Sequence, residues 1–216
     1  MFADREDAAR QLASELAGLK LHDPIVLAIP RGGVVTGAVL ARALGADLDV
    51  VLSRKLRAPF QPEFAIGVVG EDGEVYLNHH VDGAMSVDKG YLEEERQRQV
   101  SAIEQRRKLF RAGRASIPIT GRSVILTDDG IATGSTMIAA IRVVRALKPR
   151  ELIVAVPVAP QRQLDEFRGL CDRFICLEAP ADFQAVGQFY RSFETVEDEE
   201  VVRLLREAAP MTHQSA

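Results

Sequence analysis

The chain has 216 residues, a length that suits one α/β domain with an added insertion. Its 27 Lys and Arg residues against 31 Asp and Glu residues give a formal net charge of −4, so there is no global positive field to attract nucleic acid or an anionic membrane surface. The sequence starts with acidic residues in place of a signal peptide and has no apolar run of transmembrane length, which predicts a cytoplasmic protein.

The spacing of apolar residues predicts alternating helices and strands. After Asp4, a suitable N-cap, apolar residues recur at helical spacing as far as Leu19. An unbroken apolar run over 25–29 is typical of a strand buried on both faces of a parallel sheet. By the same reasoning the later elements are a helix over 34–44, a strand over 48–53, a hairpin of 64–69 with 74–77, a helix over 88–111, a strand over 123–127, a helix over 135–147, a strand over 152–156, a short helix over 164–170, a strand over 173–177 and a helix over 197–208. This order predicts a single α/β domain over 1–216, with a doubly wound, mainly parallel sheet and helices on both faces.

The most informative segment directly follows the strand over 123–127. It reads Thr127-Asp128-Asp129-Gly130-Ile131-Ala132-Thr133-Gly134-Ser135-Thr136. Its second half opens a helix, where free backbone N–H groups, hydroxyls and the positive end of the helix dipole favour a phosphate. Its two carboxylates would repel a bare polyphosphate, but they can accept hydrogen bonds from vicinal ribose hydroxyls. The segment therefore predicts a ribose 5-phosphate site, whereas neither a Walker A lysine nor a dinucleotide-binding G-x-G-x-x-G is present.

Residues 124–136 resemble the signature with which type I phosphoribosyltransferases bind 5-phosphoribosyl-1-pyrophosphate (PRPP). The resemblance implies that Asp128 and Asp129 hold the 2′- and 3′-hydroxyls of the ribose. The other PRPP-binding residues that it implies are Gly130, Ile131 and Ala132, followed around the 5′-phosphate by Thr133, Gly134, Ser135 and Thr136. The sequence departs from the family pattern at Thr127 and Gly130, where apolar residues are usual, and we expect the glycine to loosen the backbone beside the carboxylates.

A second loop is expected to bind the pyrophosphate. Pro30-Arg31-Gly32-Gly33 follows the first buried strand, where the family carries its pyrophosphate loop, often with a cis peptide. Arg31 can bind an oxyanion through two N–H groups, and Gly32 and Gly33 let backbone N–H groups approach it. An ordinary strand-to-helix turn would explain these residues equally well if they stood alone.

A further cation is expected at the end of the next strand. Lys55 is the preferred partner of the pyrophosphate, with Arg54 or Arg57 as substitutes, although a solvated strand end would carry the same charges. The expected catalytic residues are thus Arg31, Lys55, Asp128 and Asp129.

The resemblance implies roles for two further segments, a lid and a hood. Residues 56–115 stand in the place of the family's flexible loop, so we expect a lid over the reaction centre. Residues 177–196 are expected to form a small hood over the base, where an aromatic ring can stack on it. The candidates for stacking are Phe183, Phe189 and Tyr190, and packing of the hood against the domain is the alternative for each. His79 and His80 are expected at the surface, with no metal-binding role.

The resemblance implies an enzyme that transfers ribose 5-phosphate from PRPP to an unidentified nitrogenous base and releases pyrophosphate. Mg²⁺ would be bound with PRPP and not by a dedicated set of protein ligands. The small-molecule partners would be PRPP and the base, and the chain could form a homodimer. The alternatives are a non-catalytic PRPP-sensing regulatory protein, or a protein that binds a partner through the helix over 88–111. Residues 62–67 and 183–190 resemble a branch of uncharacterised bacterial phosphoribosyltransferase-like proteins, which names no substrate.

Ala132 bears on the identity of the base. Enzymes of the family that act on 6-oxopurines commonly have an aspartate directly before the T-G pair, where it exchanges a proton with the purine ring. The side chain of Ala132 can neither accept nor donate a proton. We therefore expect hypoxanthine and guanine to be poor substrates, and the Ala-Thr-Gly run resembles enzymes that act on adenine or uracil.

Overall fold

The computed structural model describes residues 1–59, 61–77 and 88–208, apart from the side chains of residues 61–64. The helices are α1 (Arg5–Leu16), α2 (Gly32–Leu44), α3 (Lys89–Arg111), α4 (Ser135–Ala146), α5 (Leu164–Leu170) and α6 (Asp198–Glu207). The strands are β1 (Ile25–Ala28), β2 (Asp47–Val50), β3 (Arg54–Ala58), β4 (Gln61–Val69), β5 (Val75–Leu77), β6 (Ser123–Thr127), β7 (Glu151–Val158) and β8 (Arg173–Glu178). Two 3₁₀ helices cover Gln161–Gln163 and Val186–Phe189. The prediction for His79 and His80 lies outside the described residues.

Five parallel strands form the central sheet, in the order β2-β1-β6-β7-β8. This arrangement confirms the predicted doubly wound, mainly parallel fold. The strand order reverses between β1 and β6, whose carboxyl ends lie side by side with Ala28 opposite Thr127. In open α/β sheets a ligand binds at such a reversal, beyond the carboxyl ends of the strands. Both motifs found in the sequence follow these two strand ends.

Helices cover both faces of the sheet, because the central strands are apolar throughout and consecutive side chains enter opposite cores. Val26 and Ile125 belong to the core beneath α1, α2 and α6, whereas Leu27 and Leu126 belong to the core beneath α4 and α5. None of the helices in the described ranges has the length and apolar character needed to span a membrane.

A separate antiparallel sheet of three strands, in the order β3-β4-β5, lies between the two halves of the domain in sequence. Its β4 and β5 confirm the predicted hairpin. Its β3 was not predicted, and the pairing of β3 with β4 is irregular around Leu56 and Arg57. Leu56 is nevertheless fully buried in the core that also contains Ile66, Ile103 and Phe110, so this sheet and α3 share the core of the main domain.

The start of the chain lies against the segment expected to form the hood. The N–H of Phe2 donates to the carbonyl of Phe189 (2.8 Å), and the N–H of Arg191 donates to the carbonyl of Phe2 (2.9 Å). These bonds make a short parallel bridge between Phe2 and Tyr190, whose ring centroids are 5.4 Å apart. The start of the chain is thus joined to the segment that we expect to form the hood.

Candidate active site

The candidate site lies where β1 and β6 end, and hydrogen bonds fix both ends. The N–H of Ile29 donates to the carbonyl of Thr127 (2.9 Å), which joins the two strand ends. The side chain of Thr127 is fully buried, and its hydroxyl donates to the carbonyl of Ala155 in β7 (2.7 Å). A threonine is therefore accommodated at a position where the family usually has an apolar residue, because its hydroxyl has a partner.

Glycines bring the two loops into direct contact. A Cβ atom on Gly32 would lie 1.9 Å from Oδ2 of Asp129, and one on Gly33 would lie 2.9 Å from the Cα of Asp128. Any larger residue at these positions would push the loops apart, so the start of α2 can lie against the two carboxylates only because both residues are glycine. The peptide bond between Pro30 and Arg31 is cis.

Asp128 and Asp129, the acid pair, have different surroundings. One carboxylate oxygen of Asp128 accepts a hydrogen bond from the N–H of Asp129 (2.8 Å). Burial raises the pKa of Asp128 well above its ordinary value, and the adjacent charge of Asp129 raises it further. Asp129 forms an ion pair with Arg5, whose Nε lies 2.7 Å from Oδ2, and only 11% and 14% of the two side chains are exposed. The pair therefore consists of one carboxyl that resists ionisation and one carboxylate with a fixed cation.

Residues 133–136, the phosphate turn, open α4. Gly134 has a φ of 79°, in the left-handed region that favours glycine, and it directly precedes the helix. The hydroxyls of Thr133 and Ser135 are 2.9 Å apart. A pocket of about 150 Å³ lies here, and it is lined by Asp128, Gly130, Ile131, Ala132, Thr133, Gly134, Thr136 and Met137. One of the two carboxyls thus faces the same small pocket as the start of the helix.

Gly130 is packed tightly and is not a loosened point in the backbone, contrary to the expectation from sequence. It is buried, and a Cβ atom there would lie 2.6 Å from Val186 and 2.9 Å from Val158. The N–H of Ile131 donates to the carbonyl of Val158 (2.8 Å). The glycine therefore lets the acid pair approach both the end of β7 and the 3₁₀ helix of the hood segment.

The two expected cations contact different elements. The guanidinium of Arg31 lies 3.4 Å from the carboxylate of Glu197 and 3.8 Å from that of Asp198, at the start of α6. The ammonium of Lys55 donates a hydrogen bond to the hydroxyl of Ser135 in the phosphate turn. The structure thus brings Lys55 to the phosphate turn, whereas Arg31 stands at the start of α2.

The substitutes proposed for Lys55 have different positions. Arg54 lines a neighbouring pocket of about 210 Å³ together with Arg106 and Thr136. Arg57 is exposed, and its backbone carbonyl accepts a hydrogen bond from the hydroxyl of Tyr91 (3.0 Å).

The aromatic residues of the hood segment stack mainly on one another. Phe183 and Phe189 are partly exposed, with ring centroids 5.4 Å apart. Tyr190 is 6% exposed, and its hydroxyl donates to the backbone carbonyl of Asp129 (2.6 Å). Burial raises the pKa of Tyr190, and the charge of Asp129 adds to the effect. Tyr190 thus connects the hood segment to the acid pair, while Phe183 and Phe189 keep part of their ring surface exposed.

Arg5 is the functional candidate that sequence reasoning missed. It lies 124 residues from Asp129 along the chain, in the first turn of an ordinary amphipathic helix. No local motif marks it, because the contact exists only once α1 has packed beside the strand ends. Among the described residues, no cluster of three or more His, Cys, Asp or Glu side chains is arranged to hold a metal ion.

The comparisons with known proteins agree with this geometry. Two Mycobacterium tuberculosis proteins, from strains CDC 1551 / Oshkosh and H37Rv and both provisionally named phosphoribosyl transferase, are 44% identical to this chain over 208 residues. The match covers 96% of this chain and 47% of each relative, so the chain spans about half the length of the curated relatives it matches. The crystal structure of TT1426 from Thermus thermophilus has 44% sequence identity and a TM-score of 0.89, over 96% of this chain and 99% of that chain. The model of the phosphoribosyl transferase domain family matches residues 2–193. Since that match extends over most of the sequence, and the predicted motifs meet where the strand order reverses, this chain belongs to the phosphoribosyl transferase domain family.

Proposed function

We propose that this chain is a PRPP-dependent phosphoribosyltransferase that transfers ribose 5-phosphate to a nitrogen atom of a base and releases pyrophosphate. The observation that carries the proposal is that the acid pair, the phosphate turn and the start of α2 meet at the carboxyl ends of β1 and β6. These parts match, in order, a ribose, a 5′-phosphate and a pyrophosphate.

The phosphate turn is suited to the 5′-phosphate. The first backbone N–H groups of α4 have no partner within the helix, so they are available to a phosphate. The hydroxyls of Thr133, Ser135 and Thr136 can donate further hydrogen bonds. The ammonium of Lys55 already contacts Ser135, so it supplies a positive charge at the same place. Lys55 would therefore serve the phosphate turn, in addition to or instead of its expected contact with the pyrophosphate.

The acid pair is suited to the ribose. Asp128 lines the same small pocket as Thr133 and Gly134 of the phosphate turn, so a ribose and its 5′-phosphate could contact both. A carboxylate can accept a hydrogen bond from one ribose hydroxyl, and a carboxyl group in its protonated form can donate one to the oxygen of the other hydroxyl. Repulsion between the acid pair and the ligand is reduced, because the raised pKa of Asp128 disfavours its charged form and Arg5 compensates the charge of Asp129.

The start of α2 is suited to the pyrophosphate. Gly32 and Gly33 are the first two residues of α2, where backbone N–H groups have no partner within the helix and the positive end of the helix dipole lies. Arg31 would exchange its contacts with Glu197 and Asp198, which are long and partly exposed, for the pyrophosphate oxygens. Mg²⁺ fits this place, since it prefers oxygen ligands and would be held mainly by PRPP. When bound, it would neutralise negative charge on the departing pyrophosphate.

The proposed reaction is a displacement at C1 of the ribose. A ring nitrogen of the base donates its electron pair to C1, and the bond from C1 to the pyrophosphate oxygen breaks with its electron pair on the oxygen. Arg31 would stabilise the charge that develops on pyrophosphate, while the acid pair holds the ribose as C1 moves toward the base. The proton lost by the nitrogen passes to water or to pyrophosphate, because Ala132 cannot accept it. The missing general base would cost a 6-oxopurine about 10²–10⁴-fold in rate.

The domain parts take their expected roles in this proposal. The hood, residues 177–196, would cover the base, with Phe183 and Phe189 as the partly exposed rings that could stack on it. The insertion, residues 56–115, would close over the site. Because Leu56, Ile66 and Ile103 belong to the main core, closure would have to leave those contacts in place.

A non-catalytic PRPP-sensing regulatory protein is the second candidate. One observation favours it: Asp129 and Arg31 already have partners within the protein, namely Arg5 and the start of α6. If PRPP replaced these contacts, its binding would release Arg5 in α1 and the start of α6 from their partners, whether or not the transfer takes place.

The deciding experiment offers Mg-PRPP with adenine, uracil, hypoxanthine, guanine and other amines, and measures the release of pyrophosphate. We expect release with at least one base, and faster release with adenine or uracil than with hypoxanthine or guanine. The double variant Asp128→Asn, Asp129→Asn should lose it, whereas Arg10→Met, a change in an exposed ion pair of α1, should retain it.

Each other outcome has a definite meaning. Mg-PRPP binding without release in the presence of any acceptor would favour the sensor. Fast turnover of hypoxanthine or guanine would contradict the role given to Ala132. Failure of the protein to bind Mg-PRPP at all would contradict both candidate functions.

A further inference from the structure

We propose that Arg5 is a positioning residue of the PRPP site, which holds the carboxylate of Asp129 in place and links it to the hood segment. The inference rests on the proposed function, since it concerns how the acid pair meets the ribose. It adds to the site a residue of α1 that lies outside both sequence motifs.

The guanidinium of Arg5 has three contacts that fix its orientation. Its Nε donates to Oδ2 of Asp129 (2.7 Å), and its Nη1 donates to the backbone carbonyl of Glu194 (2.7 Å). Its planar face lies over the ring of Phe193, with the central carbon 3.8 Å from the ring centroid. A side chain held on three sides loses little further freedom when a ligand binds, so the carboxylate that it holds is positioned in advance.

The Arg5–Asp129 contact differs from an ordinary surface ion pair. The other ion pair of α1, between Arg10 and Glu6, has a separation of 3.4 Å, and 59% and 64% of its side chains are exposed. The corresponding exposures for Arg5 and Asp129 are 11% and 14%. Exposed pairs contribute little, whereas removal of one partner from an enclosed pair leaves a charge without compensation. Arg5 therefore has an effect on Asp129 that Arg10 cannot have.

Arg5 holds the carboxylate of Asp129 against the start of α2. Its Oδ2 occupies the space where a Cβ atom of Gly32 would be, so the carboxylate lies between Arg5 and the pyrophosphate loop. Among the described residues, Arg5 is the side chain that forms an ion pair with either carboxyl of the acid pair. Without Arg5, the charge of the Asp129 carboxylate would be uncompensated and would repel a ligand with several negative charges. The carboxylate would also be free to rotate.

The hood segment is attached to Asp129 from two sides. The hydroxyl of Tyr190 donates to the backbone carbonyl of Asp129, and Arg5 joins the side chain of Asp129 to Phe193 and Glu194. A displacement of this part of the hood would therefore move or release the ribose-binding carboxylate. This gives Arg5 a role in ligand binding that is separate from the packing of α1.

The test compares Mg-PRPP dissociation constants, measured by isothermal titration calorimetry, for four proteins: wild type, Arg5→Met, Arg5→Lys and the control Arg10→Met. We expect Arg5→Met to raise the dissociation constant about tenfold or more, because one partner of an enclosed charge pair is lost. Arg5→Lys keeps the charge but cannot donate to both partners at once, so its effect should be intermediate. Arg10→Met should bind as wild type does. Thermal unfolding establishes that each variant is folded, and Arg5→Lys carries the test if Arg5→Met does not fold.

A second comparison separates positioning from a structural role. In the background Asp129→Asn, Arg5→Met should change the dissociation constant by less than about twofold, since the interaction through which it acts is already absent. An equal loss of affinity in both backgrounds would show that Arg5 only supports the fold, and would overturn the inference. Unchanged binding by folded Arg5→Met would overturn it as well. If wild type and Arg10→Met themselves fail to bind Mg-PRPP, the proposed function fails first and the inference falls with it.

Discussion

The carboxyl of Asp128 is partly enclosed and lies next to the carboxylate of Asp129, which makes its charged form unfavourable in the folded state. Burial, and then the charge of Asp129, raise the pKa of Asp128 well above the ordinary value of 3.8. The folded protein therefore binds a proton that the unfolded chain has released, between pH 3.8 and the raised pKa. Stability from this group is fully present below pH 3.8 and is lost as the pH rises through the raised pKa.

The first prediction concerns Asp128→Asn. The amide keeps an oxygen that can accept the hydrogen bond from Asp129 but has no charge, so the variant should melt at a higher temperature than wild type at pH 7. The increase should shrink as the pH is lowered toward about 4, and a difference of about 1 kcal/mol corresponds to roughly 2–4 °C in a chain of this size. Thermal unfolding over a pH series measures it. Asp165→Asn, at a solvated carboxylate of α5, serves as control. A gain that is independent of pH, or a loss at pH 7, would contradict the explanation.

At the scale of elements, the end of α3 is joined to the main sheet by buried charges. Arg111 is 4% exposed, and its Nε donates to Asp49 of β2 (2.9 Å). It also forms two hydrogen bonds with Glu71, in the turn between β4 and β5, and one with the carbonyl of Val50 (2.9 Å). These charges form one wall of a cavity of about 540 Å³ that lies apart from the acid pair. The cluster therefore attaches both α3 and the small sheet to the domain.

The second prediction is that Arg111→Met destabilises the protein by about 3–5 kcal/mol, because it leaves the buried carboxylate of Asp49 and the partly buried carboxylate of Glu71 without their cation. Arg111→Lys should recover only part of this loss, since a single ammonium cannot reach all three acceptors. Arg107→Met, one turn earlier in α3 at a solvated ion pair with Glu104, should cost less than about 1 kcal/mol. Denaturant unfolding measures all three. Similar losses for Arg107→Met and Arg111→Met would contradict the importance given to the buried cluster.

Elements formed by local patterns were predicted well, and those formed by distant contacts were not. The apolar runs of β1 and β6 correctly indicated strands buried on both faces. The role of the contiguous motif after β6 stays a prediction. The short β3 was missed because Arg54, Lys55 and Arg57 outnumber its two buried residues. Its strand conformation depends on pairing with β4. Arg5 was missed for the related reason that its partners are contributed by other parts of the chain.

At the scale of the whole molecule, several residues of the insertion over 56–115 belong to the core of the domain. In the proposed function, the remainder of this segment closes over PRPP. The third prediction is that Mg-PRPP slows limited proteolysis within this segment, because ligand binding suppresses the local opening that a protease requires. Cleavage sites identified by mass spectrometry, with and without ligand, provide the measurement. The double variant Asp128→Asn, Asp129→Asn should show no protection. Equal cleavage rates for wild type in both conditions would remove the lid from the proposal.

The contact between the two glycines and the acid pair has a consequence for engineering. Since a Cβ atom on Gly32 would overlap the carboxylate of Asp129, and one on Gly33 would touch the backbone of Asp128, these four positions form one steric unit. A mutant library that varies the loop at 32 and 33 alone would consist mostly of proteins whose site is forced open. A library that randomises all four positions jointly would reach combinations in which a smaller residue at 129 admits a side chain at 32, whereas position 33 stays limited by the backbone of Asp128. The search for a changed donor specificity should therefore treat the two loops as a single cassette.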